Sequence, residues 1–294
     1  MPFVNSKLII SGSSIEILNF GRSVYQGENE FRPKGRGRKR EVYVPDDIKA
    51  EMELERKAES QKKSFYHSRS AIRRTINANA WQWHNNSNQP FLPVFLTLTF
   101  HEMPQSFEWA NREFSKFIQR FNYYLKTSFG IEDEKYLAYI KVVEFQKRGA
   151  VHYHIIFFNL PYIPKIYDVI NELWKFGFNI VKGVDKIDNL GAYLTAYLSK
   201  DFSDNQLANK KRFSVSKGLK KSIGSYDENI IYSLLANLPE NLKKSDKEFE
   251  DKFVIKLRYR QYNIWPHKSI FDFPISQPDN NLLYWLNNQK GQNL

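Results

Sequence analysis

Hydrophobic and polar positions alternate or cycle clearly through the middle of the chain. In Phe91 to Phe100, Val94, Leu96, Leu98 and Phe100 fall on one side and Phe95, Thr97 and Thr99 on the other, the period-2 pattern of a strand. Phe107 to Phe129 has the 3.6-residue period of an amphipathic helix, and Gly130 is placed to end it. Two apolar strand-like runs follow, Tyr136 to Phe145 and Gly149 to Phe158, joined through Gln146-Lys147-Arg148-Gly149. A three-residue loop Lys147-Arg148-Gly149, with Gly149 left-handed, makes these a hairpin. Ile163 to Phe176 predicts a second helix and Phe178 to Val184 another strand. A short helix then opens at Asp188 or Asn189 and runs through Lys200. The order β-α-β-β-α-β-α predicts an α+β fold, a mostly antiparallel sheet with helices on one face, ferredoxin-like or RNA-recognition-motif-like.

The flanks are less regular. Lys7 to Val24 predicts a hairpin, with Ile9, Ile15 and Ile17 around Ser11-Gly12-Ser13-Ser14. Phe31 to Arg40 reads as a basic, glycine-containing arm. Asp46 to about Trp83 predicts a long helix, acidic at its start and basic later, before a break at Asn85 to Pro90. Beyond Asp201, Lys210-Lys211-Arg212 and Lys217-Gly218-Leu219-Lys220-Lys221 are basic patches. Asp227 to Leu238 and Ser245 to Tyr262 are expected to be helices, and Gln277 to Asn281 and the tail from Asn287 to be loose. This divides the chain into an extension at 1–88, a core at 89–205 and a basic, partly helical extension at 206–294. No internal repeat is present.

Charge and composition narrow the class of partner. The net charge is +12 and the sequence pI about 9.5, which favours an anionic partner, nucleic acid first. Seventeen Tyr, 23 Phe and six Trp supply rings for stacking on single strands as well as for a core. With no cysteine, disulfides, thiolate metal sites and cysteine nucleophiles are excluded. Neither a signal peptide nor an apolar run of membrane-spanning length is evident, so a soluble, cytoplasmic protein is expected.

The candidate chemistry lies in the hairpin. His152 and His154 are two residues apart on a strand, so both imidazoles project from one face. The expected loop pairs residue 144 with 152 and 142 with 154, placing Glu144 opposite His152 on that face. Two imidazoles and a carboxylate are a metal-ligand set; a pair of partly buried histidines satisfied by the glutamate is the structural alternative. Further on, Tyr193, Tyr197 and Lys200 are spaced i, i+4, i+7 and share a helical stripe. Such a stripe is more often core than catalytic, but beside a metal site a tyrosine can attack a phosphate that the metal polarises.

Three segments in order resemble the motifs of the HUH superfamily of rolling-circle replication initiators, the Rep endonucleases of plasmids and single-stranded DNA phages. Phe95-Leu96-Thr97-Leu98-Thr99-Phe100 is similar to motif one. Glu144 with His152-Tyr153-His154 is similar to the metal-binding motif two. Tyr193-Leu194-Thr195-Ala196-Tyr197-Leu198-Ser199-Lys200 is similar to motif three. The similarity spans about residues 91 to 202. The resemblance implies an endonuclease that nicks one strand at an origin, stays joined to the 5′ phosphate, leaves a free 3′ hydroxyl and later rejoins the ends. Carried over, Glu144, His152 and His154 hold Mg²⁺ or Mn²⁺. Tyr197 is the first-choice nucleophile, Tyr193 the second tyrosine and Lys200 the charge-stabilising residue. Ala196 stands where many two-tyrosine members have a basic residue.

Expected DNA contacts are Thr97 and Thr99 of motif one, Arg148 of the hairpin loop, Arg36, Arg38, Lys39 and Arg40 of the arm, and Lys217 and Lys220 of the later patch. The partners implied are single-stranded and origin DNA. A host polymerase and a host helicase are implied too, because no Gly-x-x-x-x-Gly-Lys-Ser/Thr is present. A relaxase or transposase of the same superfamily, or a non-catalytic single-stranded DNA-binding protein, are the competing readings.

Overall fold

The computed structural model describes residues 3–26, 46–104, 106–133, 136–145, 150–184, 190–197, 213–251 and 254–292. It is α+β, with two five-stranded antiparallel sheets. Two compact units make up the chain, one of Met1–Tyr66 with Ser222–Leu294, the other of His67–Lys221. Strands are β1 (Phe3–Ser11), β2 (Ser14–Tyr25), β3 (Val94–Leu98), β4 (Tyr139–Phe145), β5 (Val151–Phe157), β6 (Asn179–Gly183), β7 (Phe213–Val215), β8 (Ile223–Ser225), β9 (Lys243–Asp251) and β10 (Ile255–Asn263). Helices are α1 (Asp46–Asn79), α2 (Phe107–Phe129), α3 (Ile166–Leu173), α4 (Leu190–Tyr197), α5 (Glu228–Ala236) and α6 (Asn280–Gln292). None of the helices among the described residues is long and apolar enough to cross a membrane.

The His67–Lys221 unit contains the sheet β6-β3-β5-β4-β7, every neighbouring pair antiparallel. Its first four strands have the ferredoxin-like order, with β7 added beside β4. Alternation along each strand decides what is buried. Leu96, Leu98, Val143, Phe145, Tyr153, Ile155 and Phe157 pack with Phe114, Phe117, Phe121 and Leu125 of α2 and Ile170 of α3. These α2 positions recur every three or four residues, so one stripe of the helix lies on the sheet. Ser106 caps α2 by accepting from the Trp109 N–H at 3.0 Å, and Gly130 closes it in the left-handed conformation at φ 67°. Both ends fall where the sequence places them.

The next helix is shorter than its periodicity suggests. α3 starts only after Lys165, at φ 53°, and stops before Trp174, whose backbone is extended. That extension carries the indole into the core, where its N–H donates to the Thr99 carbonyl at 2.8 Å. One buried position breaks the apolar pattern. Lys141 projects on the helix side, its Nζ donating to Asn111 Oδ1 at 2.6 Å and lying 4.3 Å from the centre of the Phe114 ring. The hydrogen bond and the rings replace the water that a buried ammonium loses.

The other unit joins strands from both ends of the chain in the order β8-β1-β2-β10-β9. Leu8, Ile10, Ile15 and Ile17 of the first hairpin pack with Ile231 and Leu234 of α5, Leu282 of α6 and Tyr262 of β10. The helix expected over Ser245 to Tyr262 is instead the β9–β10 hairpin. Opposite charges face one another across the two strands: Glu250 opposite Lys256, Glu248 opposite Arg258, and Asp246 opposite Arg260. Opposite charges at facing positions support a sheet as well as a helix, and here β2 offers β10 a neighbour to pair with. The expected loose region near Asn281 is also helical. Asp279 Oδ1 accepts from the Leu282 N–H at 2.7 Å, and α6 runs on through Asn287 to Gln292.

Asp246 also links to Arg258 through two hydrogen bonds of 2.9 Å. The Arg258 guanidinium holds this carboxyl down from 3.8 to about 2, with Lys243 adding to the effect. A group whose pKa is depressed on folding contributes stability above its unfolded value and loses it as pH falls through the folded value. Asp246→Asn should therefore lower the melting temperature at pH 7, and the difference from the parent should shrink between pH 4 and pH 2. An offset of equal size at both ends of that range in parallel thermal melts would show that the pair adds no pH-dependent stability.

Candidate metal centre and nucleic-acid face

The strand register builds the site. β4 and β5 pair with Glu144 opposite His152 and Val142 opposite His154, as expected from the loop length, and β3 adds Thr97 opposite His154. One cross-strand row thus runs Ile180, Thr97, His154, Val142, Phe213 over all five strands. The row lies on the sheet face away from α2 and α3. Residues between these positions, such as Leu96, Leu98, Val143 and Tyr153, point the other way into the core. Tyr153, the residue between the two histidines, is fully buried there, and burial pushes its phenol well above the ordinary tyrosine range.

Glu144, His152 and His154 each present a ligating atom within 4.8 Å of those of the other two, so together they can hold a metal ion. Glu144 Oε2 is in direct contact with His154 Nε2. At the other side of the same ring, Nδ1 is 3.1 Å from the Thr97 hydroxyl. The Phe95 ring stacks on His154, centroids 5.7 Å apart and planes within 10°. The imidazole is therefore set in orientation by a hydroxyl and a ring, the kind of outer support that tunes a ligating histidine. The His152 ring stands 6.3 Å away at 76° to it.

The face is less open than the sequence suggests, because its apolar positions Ile140, Val142 and Ile156 are buried. It opens at the β6 edge, where Ile180 is 50% and Phe178 65% exposed. The Phe178 ring makes an edge contact with His101 at 4.5 Å. The Phe178 carbonyl accepts from both the Thr99 N–H and the Thr99 hydroxyl, each at 3.0 Å, which fixes the ring beside the end of β3. Gly177 makes this approach possible, since a Cβ there would run into the Thr99 carbonyl. His101, Phe178 and Ile180 are not among the site residues expected from the sequence. Phe95 is there only as part of the motif-one stretch, and strand alternation puts it on the Thr97 side.

The remaining expected positions are distributed as follows. Tyr193 and Tyr197 fall on α4, but their side chains, like Lys200, lie outside the described residues. Arg148, Arg36, Arg38, Lys39 and Arg40 lie outside them too. Lys217 is exposed, whereas Lys220 is half-buried, its backbone N–H and carbonyl both bonded to Asn79 at 2.9 Å. Thr97 and Thr99 have hydroxyls engaged with His154 and Phe178.

No curated protein and no solved structure matches this chain significantly. Residues 93–202, well under half of the chain, match the family described as replication-associated protein ORF2/G2P. The matched stretch runs from the start of β3 to just beyond α4 and so contains the whole Glu144–His152–His154 cluster. This match supports a replication initiator, a protein that acts in DNA replication.

Proposed function

We propose that the protein starts replication by nicking one DNA strand with a tyrosine, assisted by Mg²⁺ or Mn²⁺ held at Glu144, His152 and His154, in the manner of the HUH endonucleases. The observation that carries this reading is the cluster itself, two imidazoles and a carboxylate converging on one sheet face inside the segment that matches a replication family. The donor set suits the ion, because oxygen with imidazole ligation is accepted by either metal. When bound, the ion supplies Lewis-acid polarisation of the scissile phosphate.

The chain's own residues do the rest. Thr97 and Phe95 hold the His154 ring so that Nε2 faces Glu144. Tyr197, or Tyr193 as second nucleophile, attacks phosphorus through its phenol oxygen. The bond from phosphorus to the 3′ oxygen breaks, the phenolic proton passes to solvent, and the departing 3′ oxygen takes up a proton. Lys200 favours the phenolate and steadies the developing charge. The phosphotyrosyl ester conserves the bond energy, so a 3′ hydroxyl can reverse the step and rejoin the strand. Unwinding and synthesis fall to a host helicase and polymerase.

The strand enters along the β6 edge. Phe178 offers an exposed ring and Ile180 an apolar neighbour in the row of Thr97 and His154. Base-on-ring stacking contributes on the order of 1–3 kcal/mol per base. Phe178→Ala should weaken single-strand binding in EDTA by about tenfold, the equivalent of about 1.4 kcal/mol. An unchanged anisotropy titration would take Phe178 off the DNA path.

The direct test of the nicking reading uses Mn²⁺ and labelled single-stranded oligonucleotides from the protein's own replicon, resolved on a denaturing gel. A labelled band at protein size that disappears with EDTA is the expected result. Tight, metal-independent binding with no such band would replace this reading with a non-catalytic single-strand-binding protein.

A further inference from the structure

Two asparagines at the end of α1 bond to the backbone at positions that flank both candidate tyrosines in sequence, Gly191 and Lys220. Asn77, 7% exposed, accepts the Gly191 N–H at its Oδ1 over 2.7 Å. Gly191 is the second residue of α4, so its N–H is one of the first-turn donors that a helix cannot satisfy internally. Asn77 therefore caps α4 from another helix. The fit is close, since a Cβ on Gly191 would run into the Arg73 carbonyl and Asn77 Oδ1. Within α4, the buried Thr195 hydroxyl donates back to the Gly191 carbonyl at 2.6 Å. The other asparagine, Asn79, is fully buried and bonds to the backbone of Lys220. Its Nδ2 donates to the Lys220 carbonyl and its Oδ1 accepts the Lys220 N–H, both at 2.9 Å. A further bond from Asn79 Nδ2 to the Thr75 carbonyl, 2.9 Å, fixes the side chain to its own helix.

We infer that Asn77 is a positioning residue for the tyrosine nucleophile: through Gly191 it docks α4 on α1, while Asn79 secures the return of the chain at Lys220. This rests on the nicking reading above. It extends the catalytic unit to residues that lie before the matched 93–202 segment. α1 enters the unit through Ile72 and Ile76, both fully buried, so the anchor sits on a packed element. A nucleophile displaced by about 1 Å can lose on the order of 10²-fold in rate while binding is unaffected.

The test compares the full chain with Asn77→Ala, Gly191→Ala and Asn77→Asp by two measurements. The first is the single-turnover rate of adduct formation at saturating oligonucleotide in Mn²⁺, set against oligonucleotide affinity in EDTA. The second is backbone hydrogen exchange of residues 190–197, which needs no catalysis. Asn77→Ala and Gly191→Ala should slow adduct formation by about 10- to 100-fold. Affinity should stay within about twofold, since neither residue is assigned a DNA contact. Exchange over 190–197 should rise about tenfold, the scale of one lost buried hydrogen bond, with β3 and β5 unchanged. Asn77→Asp keeps the acceptor and should restore both values. Should the first two variants unfold the unit, Asn77→Ser, a milder withdrawal of the acceptor, is read by the same measurements.

Unchanged exchange in Asn77→Ala would overturn the inference whatever the activity. So would a rate loss matched by an equal loss of affinity, or a failure of Asn77→Asp to restore. If the parent protein forms no adduct, the nicking reading falls, and the exchange measurement alone still decides whether Asn77 docks α4.

Discussion

Tyr197→Phe should remove the covalent protein–DNA adduct and leave binding intact. The expected loss is about 10⁴-fold or more, the scale on which deleting a covalent nucleophile acts. Phenylalanine keeps the ring and removes only the oxygen that would bond to phosphorus. The measurement is a denaturing gel of labelled oligonucleotide in Mn²⁺, beside an anisotropy titration of the same variant. Tyr193→Phe separates the two tyrosines. If the adduct vanishes only in Tyr193→Phe, the reaction class stands and the nucleophile is Tyr193. If nicking continues undiminished in both single variants and in the double variant, neither tyrosine is the nucleophile.

The second large effect concerns the cluster. His152→Ala should abolish cleavage, and raising Mn²⁺ should not restore it. The loss should exceed the roughly 10- to 100-fold typical of an outer-shell partner, because a proposed metal ligand is deleted. His154 and Glu144 stay in contact through Nε2 and Oε2, so the variant retains two of three donors in place. Two donors would hold an ion weakly and so leave the phosphate without its polarisation. Mn²⁺ titration followed by electron paramagnetic resonance reads the binding directly. One tight site in the parent and none in His152→Ala is the expected outcome. Equal Mn²⁺ affinity in both proteins, or nicking by His152→Ala at the parent's rate, would return the trio to a structural role. Tyr197→Phe should bind Mn²⁺ like the parent, so the two variants fail at separate steps.

How much of this arrangement is legible in the chain depends on how local its cause is. The α2 boundaries at Ser106 and Gly130 follow from a cap, a period and a left-handed glycine, all within one element. The pairing of Glu144 with His152 is equally local, since a short loop and strict alternation between adjacent strands leave one register that buries the apolar face. β9 and β10 show the limit. Their acidic and basic positions meet only once the two strands are folded against each other, and β2 supplies the neighbour that β10 pairs with. The burial of Lys141 is another case, because the Asn111 acceptor and the Phe114 ring come from a helix thirty residues away in sequence.

The sequence by itself therefore determined the α+β order of the central region, the helix stops with local caps, and the trio Glu144, His152 and His154 on one sheet face. Each is set by neighbours a few residues away. Tertiary structure decided that β3 lies beside β5, so that Thr97 and Phe95 orient His154. It decided that the β6 edge exposes Phe178, and that strands from the two ends of the chain share a sheet. It also decided that Asn77 reaches Gly191, 114 residues on. No periodicity encodes such contacts, because they arise from which packed surfaces meet once the apolar faces are buried.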